Sequence, residues 1–178
     1  MDALKFLPQA FFDVIGRIIP GFIALLLLSW CAPSAWQSVT EALARLTGTS
    51  TLPVWLLLGI SYVVGHLLSP ATKQIQRMGE RFPKKLDKPN SEKYDWLRVN
   101  STEAGGHCAK LRAEFTLYNS LAAVFFIFAV WWAIQHSQII APIVLAILGF
   151  FMAARGRETQ GTMHDCVERF HTAAGGPS

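Results

Sequence analysis

Hydrophobic and polar positions along this chain fall into long blocks, unlike the short period of a soluble helix or strand. Residues 18 to 40, 46 to 72 and 115 to 154 contain no Asp, Glu, Lys or Arg and together make up about half the protein. Some 20 mainly apolar residues cross the roughly 30 Å of bilayer hydrocarbon, so the first two blocks each fit one membrane helix. The third fits two. At its centre Gln135-His136-Ser137-Gln138 is a polar break, costly in hydrocarbon and natural at a turn in water. The pattern predicts an all-α fold, a four-helix transmembrane bundle with spans at about 20–37, 53–69, 115–134 and 139–154. A soluble bundle of greasy helices fits less well, because Val124 to Val130 is apolar on every side of a helix where a soluble helix keeps a polar face.

Local signals refine the boundaries. Pro20 and Pro53 each suit a first helical turn, Ser50 or Thr51 can cap the second span, and Ser69-Pro70 ends it. Before Pro20, Phe11, Phe12, Ile15, Ile18 and Ile19 recur at helical spacing around Asp13 and Arg17, which predicts an N-terminal interfacial helix over 9–19. The apolar run starts too late and is too long for a secretory leader, and Trp30 is too bulky for a lipoprotein cleavage box, so no cleavage is expected. The last helical hairpin is expected to continue into water as cytosolic extensions, giving one membrane domain over 1–178 with a loop at 71–114 and a tail at 155–178. A turn near 136 sets residues whose numbers sum to about 272 side by side. His107 and Cys108 then face His164 and Asp165, Glu114 falls near Arg157 and Glu158, and Glu103 near Arg169.

Charge sets the orientation. Only 16% of the residues are charged, against about 25% in soluble domains. Ten of the sixteen Lys and Arg lie between Lys73 and Arg112, while the 32–51 loop carries only Arg45. The positive-inside rule then places 71–114 in the cytosol and, after four crossings, both termini with it, in a bacterial inner membrane. Trp30, Trp36, Trp55, Trp131 and Trp132 fall near the opposite ends of the spans, at the headgroup level that tryptophan favours. Cys31, Cys108 and Cys166 are too few and scattered for a disulfide framework and are expected to be reduced.

Candidate functional residues follow from these placements. Gly59, Tyr62, His66 and Ser69 share a stripe of the second span, with Gly65 beside it, a pattern for helix packing or for lining a pore. Lys73, Arg77, Arg81, Lys84, Lys85, Lys88, Arg98, Lys110 and Arg112 offer contacts to anionic headgroups or a soluble protein partner, ahead of nucleic acid. His107, Cys108, His164 and Cys166 are residue types of a tetrahedral zinc site. Their spacing matches no standard finger, and Gly105-Gly106 loosens the helix beside them, so ordinary helix contacts are expected and no metal or cofactor. Arg157 and His164, with six residues between them, resemble the Arg-and-His signature of HEPN-type ribonucleases, enzymes built on a dimeric soluble helical domain. No phosphate loop, dinucleotide fingerprint, nucleophile elbow or zinc-protease helix is present. The spans hold no carboxylate, which argues against ion-driven transport.

Asp13-Val14-Ile15-Gly16-Arg17-Ile18-Ile19-Pro20-Gly21-Phe22 entering the first span and Tyr62-Val63-Val64-Gly65-His66-Leu67-Leu68-Ser69 leaving the second resemble small multi-pass bacterial membrane proteins, some of them from antiphage defence loci. The Kiwa membrane subunit, a four-span protein working with a cytosolic partner, is of this kind. The lack of catalytic motifs and the concentrated cytosolic surface lead to the expectation of a non-enzymatic, homo-oligomeric protein of the inner membrane, and the resemblance implies one of two roles. One is a membrane-disrupting effector or pore; the other is a sensor or scaffold that recruits a soluble effector through the basic loop.

Overall fold

The computed structural model describes residues 7–48, 53–80, 91–136 and 138–175, which form seven helices without a strand among them. They are α1 (Leu7–Cys31), α2 (Pro33–Thr47), α3 (Val54–Leu67), α4 (Ser69–Glu80), α5 (Ser91–Asn100), α6 (Thr102–Gln135) and α7 (Ile140–Ala173). Four stretches are long and apolar enough to cross a membrane: Val14–Cys31, Val54–Arg77, and the helices carrying the third and fourth spans, Glu103–Gln135 and Ile140–Ala173. In α6 the charge-free part, 115–135, is about 31 Å long, the thickness of the hydrocarbon it has to cross.

Small residues set the register of the bundle. Gly21 on α1 meets the backbone of Ser61 and Gly65 on α3, and Gly65 meets the backbone of Arg17, so neither glycine has room for a methyl group. These pairs run antiparallel. Gly16 lies against the carbonyl of Ala113, and Trp30 packs on Trp132 with ring centres 5.4 Å apart, so α1 and α6 run parallel. Asn119 lies opposite Gly156 and Phe126 opposite Gly149, which makes α6 and α7 an antiparallel hairpin. The start of α1 and the end of α7 therefore lie at one end of the bundle, here termed the basic end. Trp30 and Trp132 mark the other, here termed the tryptophan end.

Several boundaries differ from the sequence expectation. α1 passes through a buried Pro20 without a break, as membrane helices can when neighbours enclose the freed backbone group. The 9–19 stretch is thus continuous with the first spanning helix. That helix stops at Cys31, short of 37, because Pro33 drives Ala32 out of the helical region to φ −136°, ψ 66°. The expected 32–51 loop is mostly a helix, α2. Pro53 caps α3 from outside the helix at φ −61°, ψ 142°, while Ser50 and Thr51 lie outside the described residues. Ser69-Pro70 follows the end of α3 but also opens α4, with Pro70 in a first turn that needs no amide hydrogen.

Candidate functional site at the basic end

α6 and α7 run well past their apolar blocks, α6 from Thr102 and α7 to Ala173. Together they form a two-helix stalk, and α5 closes it. Ser101 makes the corner between α5 and α6 in extended conformation, its Oγ accepting from the Ala104 amide at 3.4 Å. Gly105 permits the fold-back, since a Cβ there would stand 3.0 Å from the Arg98 Cα. Gly105 is therefore a point of close contact, not the loosening expected, and Gly106 faces open space.

Burial holds this cap together. Tyr94, Leu97, Ala104, Cys108 and Val167 form a core flanked by Trp96 and Cys166, and Leu97, Cys108 and Val167 are 0% exposed. Removing a leucine or valine from water contributes about 1.5–3 kcal/mol each, which suits a stalk surrounded by water rather than lipid. Polar groups rim the core. Lys93 Nζ lies 2.5 Å from Glu168 Oε2 and holds that carboxyl below the ordinary carboxylate range. Trp96 meets His171 edge-on at 5.1 Å, and the guanidinium groups of Arg98 and Arg112 lie 5.8 and 5.2 Å from the centre of the Tyr94 ring, within cation–π range.

Of the four zinc-type residues, only two meet. Cys108 and Cys166 approach to 3.2 Å between sulfurs. Burial, with the neighbouring thiol, pushes the Cys108 thiol up to about 12, so it stays protonated at neutral pH. His107 turns away to an edge contact with Phe170 at 6.2 Å. His164 is half-buried, and its Nδ1 has no hydrogen-bond partner among the described residues. Among the described residues no three His, Cys, Asp or Glu side chains converge. The cause is register: α6 ends at Gln135 and α7 begins at Ile140, so the hairpin turns later than 136 and Cys166, not His164, comes opposite Cys108. Glu114 pairs with Lys110 at 3.9 Å and Glu158 with Arg155 at 2.5 Å, each within its own helix. Arg157 and His164 lie on one face of α7, about two turns apart.

Where the stalk meets the spans, an Arg17 Nη1 hydrogen bond reaches His66 Nδ1, and the Tyr62 ring stacks on His66 at 6.5 Å. Arginine has only donors, so His66 accepts through Nδ1. The expected packing stripe of the second span is rotated. Gly65 does pack, but its partner on the buried face is Ser61, whereas Tyr62 is exposed and Gly59 has no heavy atom within 4 Å of a Cβ position. His66 is exposed and meets α1 through its ring, while Ser69 is half-buried at the start of α4. Ser61-x-x-x-Gly65 is itself a small-residue pair of the kind that brings membrane helices together, and it was the available signal. The basic surface is partly visible. Lys73 and Arg77 are exposed on α4, and Lys110 and Arg112 on the stalk, while Arg81, Lys84, Lys85 and Lys88 lie outside the described residues.

Compared with known proteins, the chain matches no family model, no curated protein and no solved structure. Fold and site together define its class: a helical bundle with four membrane-length helices, carrying a capped helical stalk at one end.

Proposed function

We propose that the protein is a non-enzymatic platform of the bacterial inner membrane that holds a soluble protein partner on its stalk, in the antiphage setting that the resemblance implies. The stalk carries this reading. α6 and α7 extend about 20 Å and 28 Å beyond their apolar blocks, and α5 gives them a core that crossing a bilayer does not require. The concentration of Lys and Arg on the same end supports a cytosolic placement. A photocrosslinking residue at Lys110, Thr162 or Arg169 should capture one soluble protein in living cells, and the same residue at Leu46 should not. Absence of such a product, with phage protection intact after charge reversal at Lys110 and Arg112, would remove the reading.

A second reading, a homo-oligomeric effector that opens the membrane, has one observation in its favour. The α3 face containing Leu58, Gly59, Tyr62 and Val63 is exposed in the single chain, and glycine there permits close approach of another helix. This role requires depolarisation on triggering. Full protection with membrane potential unchanged would exclude it.

A further inference from the structure

α2 is amphipathic yet buries no residue against the rest of the bundle. At 100° per residue, Trp36, Val39, Leu43 and Leu46 fall on one face with Ala35 and Ala42, and Ser34, Gln37, Ser38, Glu41 and Arg45 on the other. Much of the apolar face is open: Leu46 is 83% exposed and Val39 39%, while Trp36 and Leu43, toward the bundle side, are half-buried. Something other than the described residues of this chain has to cover it.

Chain connectivity limits what that can be. One residue, Ala32, separates α2 from the outlet of α1, and its non-helical backbone turns the chain there. From Gly48, five peptide steps lead to Pro53 at the mouth of α3, a reach of at most about 18 Å. α2 itself is about 22 Å long. Standing upright in water, it would carry Gly48 too far out for the chain to return. Plunging inward, it would drag Gln37, Glu41 and Arg45 into hydrocarbon. Between these limits lies the membrane surface, where the neighbouring Trp30 and Trp55 are also exposed.

We propose that α2 lies in the membrane plane at the tryptophan end, with Trp36, Val39, Leu43 and Leu46 seated among the acyl chains and headgroups of that leaflet. Glu41 and Arg45 are its charged residues and cancel. Apolar burial therefore drives the contact, and a zwitterionic lipid suffices. The polar face stays in water.

The test uses the full chain in phosphatidylcholine vesicles, with a nitroxide introduced through an azide-bearing amino acid so that native cysteines are untouched. Positions 39, 43 and 46 are compared with 37, 41 and 45. The ratio of collisions with lipid-soluble oxygen to those with a water-soluble nickel chelate should be at least about threefold higher at the first set, as for a helix half-sunk in the interface. Adding phosphatidylglycerol should not change the pattern. Equal, high access to nickel at all six would place α2 in water. Low access to both reagents at 39, 43 and 46 would mean that protein, such as a second copy, covers the face. A pattern that appears only with anionic lipid would overturn the apolar mechanism. The outcome is independent of whether the stalk holds a partner.

Discussion

The two ends of the bundle are built by different rules. At the tryptophan end, Trp132 sits between Trp30 and His136, with ring centres 5.4 and 4.5 Å away, and α2 leaves Val39 and Leu46 of its apolar face uncovered. At the basic end the helices run on, and buried side chains of α5, α6 and α7 complete one another. The same hairpin obeys both rules along its length. In its apolar half it approaches through glycine, with Gly149 under Phe126 and, where the polar half begins, Gly156 under Asn119, while much of the rest faces outward. In its polar half it packs like a protein in water around Leu97 and Val167. Lipid offers helices no hydrophobic drive to associate, so shape has to supply the attraction there. The stalk instead has a buried apolar core of the kind that water drives together.

That contrast can be broken from either side. The largest effect is expected from Gly65→Val, which forces α3 off the Arg17 backbone and should cost more than about 3 kcal/mol through overpacking. Monodisperse protein in detergent should be lost, whereas Gly59→Val, placed in open space, should behave as the parent. Next, Leu97→Ala should cost about 2–5 kcal/mol, confined to the stalk. Hydrogen exchange should rise over 91–112 while the spanning segments stay protected.

A smaller effect separates the two thiols. Because burial pushes Cys108 up to about 12, a maleimide at pH 7.5 should modify Cys166 at least about tenfold faster than Cys108, as read by mass spectrometry. Equal rates would mean that the stalk core is open. The smallest effect concerns acid. The depressed Glu168 carboxyl gives its contribution above the ordinary carboxylate range and loses it as pH falls through the folded value. Protection of α5 should therefore decline as pH falls through and below the ordinary carboxylate range. Glu168→Gln should remove that dependence with little effect at neutrality, since water screens a half-exposed pair.

What the sequence disclosed follows the strength of the physics behind each feature. Charges are costly enough in hydrocarbon that their absence over 18–40, 46–72 and 115–154 marked all four membrane helices and the extended hairpin. Register is set by finer differences. A turn centred about one residue later, which shifts the facing register by two, carried Cys166 to Cys108 and left His107 on Phe170. Rotation of α3 was equally fine, and Ser61 is an inconspicuous residue among larger ones. The α5 cap was hidden because Tyr94 and Leu97 sit in a stretch dominated by charge, and only tertiary contact reveals them as core. α2 escaped notice because a polar stretch between two spans suits a loop as well as a surface helix.

The contact of Gly21 with Ser61 and of Gly65 with Arg17 has a consequence for biogenesis. It joins helices that are consecutive spans in the chain and needs nothing from α6 or α7. The first hairpin can thus close in the bilayer while the second half is still being translated, in the N-to-C order in which nascent chains fold. The α6–α7 hairpin then arrives at a preassembled surface, on which Gly16 and Trp30 already mark where Ala113 and Trp132 will dock. Its stalk can form last, once α5 has somewhere to fold back.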